Sequence, residues 1–170
     1  MATLKISDLS VGDWVGFEMA NLSIEGDDIA TAFVEKINKP ARIKSISGDQ
    51  YLILAEVDNV DYFGTIYLKI EHILPIPITA EILEKNGFTR RSSEFPIYEH
   101  TTLLGKMLRT IVVSLLNPHD YIFCRIEDIS KELHEDGRCL VSSNVSRHPI
   151  FVHDLQHALR LASIDKEINL

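Results

Sequence analysis

Two histidines at helical spacing are the sharpest chemical feature of the chain. In Phe151-Val-His-Asp-Leu-Gln-His-Ala-Leu-Arg-Leu-Ala162, His153 and His157 stand at i and i+4, the spacing at which two imidazoles on one helix face can grip zinc. The pattern then departs from a metalloprotease helix. The acid after the first histidine is Asp154, shorter than the glutamate that serves there as general base, and no third ligand is identifiable. With Leu155 at zero and about 100° per residue, His153 and His157 fall roughly 160° and 200° away, opposite the apolar stripe of Leu155, Ala158, Leu159 and Ala162. The expectation is a solvated histidine pair beside Arg160, and a metal-dependent hydrolase is the least favoured of three functional readings.

The other reactive residues are as readily explained without chemistry. Cys124 and Cys139 lie on successive predicted strands with no Cys-x-x-Cys spacing and no evident histidine partner, so both are expected to be buried thiols. No Gly-x-Ser-x-Gly elbow, phosphate loop or dinucleotide-binding glycine turn occurs. The acid pairs Asp27-Asp28, Glu127-Asp128 and Glu135-Asp136 fall where turns or caps are expected. No catalytic residue and no cofactor is implied. Two binding surfaces are conceivable. Trp14 with Tyr51, Tyr62 and Tyr67 could line a groove for an extended peptide, although Trp14 also suits a core or a barrel lid. Lys36, Lys39, Arg42 and Lys44 could contact phosphates, or could simply be the solvated edge of a strand.

Charge weighs against nucleic acid. The chain of 170 residues carries 17 basic and 25 acidic side chains, net −8, and neither residues 1–78 (6 basic, 12 acidic) nor the remainder (11 and 13) forms a basic footprint. Apolar residues at 45% and charged residues at 25% are those of an ordinary globular protein. The longest apolar runs, such as Ile111 to Leu116, are far shorter than the roughly 20 residues a membrane span requires. With two cysteines and no long apolar segment at Met1-Ala-Thr-Leu-Lys-Ile, the expected location is cytoplasmic, away from membranes.

The elements that must position these residues divide at Leu74-Pro-Ile-Pro-Ile-Thr-Ala-Glu-Ile-Leu-Glu-Lys-Asn-Gly-Phe88. Thr79 is a good N-cap, Ile78 and Leu83 can staple the first turn, and Glu81 suits the positive end of the helix dipole. Gly87 as the left-handed residue after the helix would turn Phe88 back onto Leu83 in a Schellman cap. Before this helix, Gly12–Glu18, Ala41–Ser47, Tyr51–Val57 and Tyr62–Ile70 read as short strands, with a Gly48-Asp49 turn, imperfect alternation in Ala41–Ser47, a long excursion over 21–39 and a closing turn at Ile70–Ile76. Residues 1–78 are therefore expected to form a small SH3-like β-barrel. Beyond it, Glu94–Thr101, Lys106–Leu116, Tyr121–Ile126 and Arg138–Val145 read as an antiparallel sheet, and 128–135 allow a helical turn. The histidine-bearing helix should pack on that sheet through Leu155 and Leu159, each contributing roughly 1.5–3 kcal/mol on burial. The expected class is α+β, with 79–170 comprising the capped linker helix, the sheet and one packed C-terminal helix.

Three segments in order carry a family resemblance: Leu9-Ser-Val-Gly-Asp-Trp-Val15, Ile73-Leu-Pro-Ile-Pro-Ile-Thr-Ala-Glu-Ile-Leu-Glu-Lys-Asn-Gly-Phe88 and Val152-His-Asp-Leu-Gln156. They resemble a family of proteins from Bacteroides-type bacteria and their phages or mobile elements, marked by a Leu-Arg-Ile-Gly-Asn start, a Pro-Ile-Pro-Leu-Thr helix opening and a Tyr-Val-His-Gln-Leu-Gln-Asn-Leu segment. Asp13 stands where that family has Asn, and so does His157. The resemblance implies a bacterial or phage protein and transfers no catalytic residue. The favoured reading is a non-enzymatic protein- or peptide-binding adaptor module, and the alternative is a nucleic-acid-associated accessory protein.

Overall fold

The computed structural model describes residues 5–17, 40–48, 50–55, 64–70, 73–129, 138–146 and 149–170. It has α+β content, with antiparallel sheets and, among the described residues, two short α-helices, in two compact units, Met1–Ile76 and Pro77–Leu170. Among the described residues no helix is long and apolar enough to cross a membrane.

The first unit begins with a 3-10 turn at Ile6–Asp8 and continues in β1 (Trp14–Phe17), β2 (Ala41–Ser47), β3 (Gln50–Ala55), β4 (Gly64–Lys69) and β5 (Ile73–Leu74), ordered β4-β3-β2-β1-β5. β1 is entered through a tight turn. Gly12 adopts φ 90°, and Asp13 closes the turn back onto Ser10: its buried carboxylate accepts the Ser10 N–H at 2.7 Å while its own N–H donates to the Ser10 carbonyl at 3.1 Å. Strand β1 changes partner halfway: Trp14 and Val15 pair with β2, whereas Gly16 and Phe17 pair with β5. Gly16 suits that crossing, since a Cβ there would lie 3.4 Å from the Leu74 carbonyl oxygen. The β2–β3 hairpin turns on Gly48 at φ 60° and contains a register shift between Ile43 and Ser45. That bulge accounts for the imperfect alternation of β2, in which Ala41 and Ile43 are buried while Lys44 and Ser45 are both exposed.

The expected SH3-like barrel is not confirmed, because the described strands are not closed into a barrel. Among the described residues β4 pairs with β3 alone and β5 with β1 alone, so both remain edges and the sheet is not closed.

The second unit opens with α1 (Ala80–Lys85) and continues through β6 (Thr89–Arg90), β7 (Ile97–Leu104), β8 (Met107–Ser114), β9 (Tyr121–Asp128), β10 (Arg138–Ser146) and α2 (Val152–Leu161), with sheet order β10-β9-β8-β7-β6. The helix signals act as expected. Thr79 is extended and its hydroxyl accepts the Ile82 N–H at 3.3 Å. Gly87 takes φ 71°, Phe88 N–H reaches Leu83 O at 3.0 Å and Gly87 N–H reaches Glu84 O at 2.9 Å, a complete Schellman cap over buried Leu83 and Phe88. Alternation sorts the sheet into two faces. Tyr98, Ile111, Val113, Ile122 and Cys124 are buried with Leu155, Leu159, Ile164 and Ile168 in the core. The other face remains open. The possible helical turn over 128–135 lies outside the described residues beyond Ile129, and Asp128 itself ends β9.

Candidate functional site

The open face of the second sheet is concave. A cavity of about 490 Å3 is lined by Leu108, Thr110 and Val112 of β8, Tyr121, Phe123, Arg125 and Glu127 of β9, Glu99 of β7, Asn144 of β10, and Arg91 just beyond β6. Register assembles it. Val112 lies between Glu99 and Phe123, Thr110 pairs with Arg125, and Asn144 pairs with Phe123, so residues distant in sequence share one pleat face. The floor is apolar and aromatic, and two ion pairs flank it. Arg91 Nε meets Glu99 Oε2 at 2.9 Å, and Arg125 Nη2 meets Glu127 Oε1 at 2.5 Å. The glutamates sit deeper, at 26% and 19% side-chain exposure against 61% and 42% for the arginines. Thr101 Oγ1 also donates to Glu99 Oε1 at 3.0 Å. Each carboxylate thus steadies a guanidinium whose remaining donors reach solvent, an arrangement suited to oxygen acceptors.

The histidine pair lies elsewhere and differs from expectation. His153 is fully buried and seven of the ten α2 residues are buried, so the helix does not present a solvated polar side. His153 stacks on Phe151 at 5.6 Å between ring centroids, and His157 meets it edge-on at 6.1 Å. Periodicity identifies one apolar stripe of α2 but not the ring packing of His153 and His157 outside that stripe. Asp154 also has a structural role: its Oδ2 accepts the N–H of buried Phe151 at 2.9 Å, closing the first turn where no side chain of residue 151 can. Among the described residues no set of three or more His, Cys, Asp or Glu side chains converges as a metal would require.

The structure does give Cys124 a histidine neighbour. Cys124, Asp154 and His157 line a cavity of about 100 Å3 between α2 and the sheet. Burial pushes the Cys124 thiol up from its ordinary value, so near neutrality it is a protonated thiol and a poor nucleophile. Cys139 belongs to β10, and its side chain is outside what the structure describes.

The first unit brings together only part of each predicted surface. The Arg42 guanidinium lies 4.7 Å over the half-buried Trp14 ring, which ties it to the aromatic face. Lys44 is exposed. Lys36, Lys39 and Tyr62 fall outside the described residues. Tyr51 pairs with Leu68 and Tyr67 with Leu52 in the β3–β4 register, with side chains not described. Of the open-face residues only Glu127 was singled out from the sequence, in an acid pair expected at a turn or cap, whereas Glu127 and Asp128 both lie in β9; Tyr121, Phe123, Arg125 and Glu127 carry a signal in their period of two, and their assembly depends on pairing across four strands.

Comparison of the chain with family models, curated proteins and solved structures finds no match.

Proposed function

We propose that the chain is a non-enzymatic binding module whose docking surface is the open face of the second sheet. Its occupant is an extended segment of a partner protein that lays apolar side chains on Tyr121 and Phe123 and offers carbonyl or carboxylate oxygens to Arg91 and Arg125. The observation that supports this most is the pairing of an apolar concavity of about 490 Å3 with two glutamate-steadied arginines at its sides. Fixed guanidinium donors beside an aromatic floor are the usual makings of an interface anchor. A buried, protonated Cys124 and a capping Asp154 leave the α2 cavity without an activated nucleophile, which favours binding over catalysis there. A cytoplasmic setting and a bacterial or phage origin of the resembling kind go with this proposal. The low cysteine count supports the former and the three resembling segments support the latter.

The test is selection of a displayed peptide library on the full chain. Enriched peptides should bind with micromolar Kd and lose at least about tenfold on Phe123→Ala or Arg125→Ala, the scale of an interface anchor. Binders indifferent to both substitutions, or no binders at all, would remove the reading.

A further inference from the structure

The end of α1 is built as a receptor for extended backbone. Asn86, 1% exposed, uses its whole carboxamide: Oδ1 accepts the Asn169 N–H at 2.9 Å, while Nδ2 donates to Asn169 O at 2.8 Å and to Ile82 O at 2.7 Å. Pairing both polar groups of one residue's backbone reproduces the exchange between neighbouring strands, and it reads main chain rather than side chain. Around this clasp, Ile168 is buried to 1% as the apolar anchor. Lys166 Nζ lies over Gly87, 3.7 Å from where a Cβ would stand, close to the carbonyl-bearing end of the helix, where a cation is favoured. The Lys85 ammonium donates to the Leu170 carbonyl. The ligand in all four contacts is the strap 164–170, which has no helix or strand of its own. Two residues, Ala162 and Ser163, join it to α2. Ser163 holds φ 51°, a left-handed backbone that a non-glycine residue rarely adopts.

We propose that the Asn86 clasp is a peptide-binding site filled in cis by the strap and filled in trans by the strap of a second copy, giving a strap-exchanged dimer. The same clasp, anchor and cation contacts form whichever copy supplies residues 164–170, so exchange creates no new chemistry. Opening the hinge returns Ser163 to ordinary backbone but gives up the Ser163 and Ile164 N–H bonds to the Arg160 and Leu159 carbonyls and the Arg109 contact, so the exchanged form is a minor species that high concentration must favour. The cis strap acts at an effective concentration of order millimolar, so exchange requires comparable protein concentration or brief warming.

The test uses the full chain. Isotope-labelled and unlabelled protein are mixed at about 1 mM, warmed below the unfolding transition, diluted and examined by native mass spectrometry. A mixed dimer that reverts slowly to monomer is expected. Ser163→Gly, which relieves the closed hinge, should lower the dimer fraction severalfold. A mixture of Ile168→Asp and Asn86→Leu chains should form the heterodimer at least tenfold more than either homodimer, since one sound strap meets one sound clasp. No mixed species from wild-type protein, or a dimer that neither Ser163→Gly nor the complementary pair alters, overturns the proposal.

Discussion

Helices α1 and α2 end in the same hydrogen-bond pattern around different residues. At α1, Phe88 N–H reaches Leu83 O and Gly87 N–H reaches Glu84 O; at α2, Ile164 N–H reaches Leu159 O and Ser163 N–H reaches Arg160 O, each 2.9–3.0 Å. The left-handed position is glycine at φ 71° in one and serine at φ 51° in the other. Both caps close over a buried apolar pair, Leu83 with Phe88 and Leu159 with Ile164. Arg109 Nη1 further holds the Ser163 carbonyl. The comparison teaches that glycine is one way of supporting this turn and that tertiary contacts are another. Where packing and an arginine fix the backbone, a residue with a Cβ can be held in a conformation it would not choose.

The largest expected effect tests whether burial under the cap matters more than its turn residue. Leu83→Ala and Leu159→Ala should each destabilise by about 2–5 kcal/mol in urea unfolding, and a loss near zero at either would show that its cap does not depend on the apolar pair. The helix starts differ as much as the ends, since Thr79 caps α1 from an exposed position whereas Asp154 serves buried backbone. Asp154→Ala should cost about 1–3 kcal/mol by stranding the Phe151 N–H, against about 1 kcal/mol for Thr79→Ala. Equal losses would erase that distinction. At the left-handed positions, Gly87→Ala should destabilise by about 1 kcal/mol, whereas Ser163→Gly should stabilise by about 0.5 kcal/mol as relief of the turn outweighs added chain entropy. A destabilised Ser163→Gly protein would show that Ser163 is not strained. The smallest effect concerns the thiol beneath α2. Its folded value lies above the unfolded one, so its contribution is complete below the unfolded thiol's value and is lost as pH rises through the folded value. Between about pH 7 and pH 10, wild-type stability should fall more steeply than that of Cys124→Ala.

How much of this was legible in the sequence follows from how local each cause is. Thr79, Gly87 and Phe88 act within one turn of α1, so its limits and cap could be read directly. The strands of the second sheet were likewise visible through their period of two, and the imperfect alternation of β2 recorded its bulge without locating it. What could not be read depends on distant partners. His153 looked solvated because a helical wheel contains nothing of the Phe151 stack. Asp154 looked like a displaced catalytic acid because its partner is backbone N–H, which has no letter in the sequence. Ser163 gave no signal for the same reason. The open face required Glu99, Val112 and Phe123 to be in register across three strands, which no single segment encodes.

The exchange of partners along β1 bears on the order of assembly. β2 and β3 meet across a two-residue turn, and β3 meets β4 as the next strand in sequence, whereas Trp14 must find Arg42 and Gly16 must find Leu74. Nearby pairings close first because short loops sacrifice less chain entropy. On chain entropy alone, β1 is expected to join last, fastening β5 to the β2–β3–β4 meander. Among the described residues, the two ladders of β1 close the longest sequence separations of the first unit, Trp14 with Arg42 and Gly16 with Leu74.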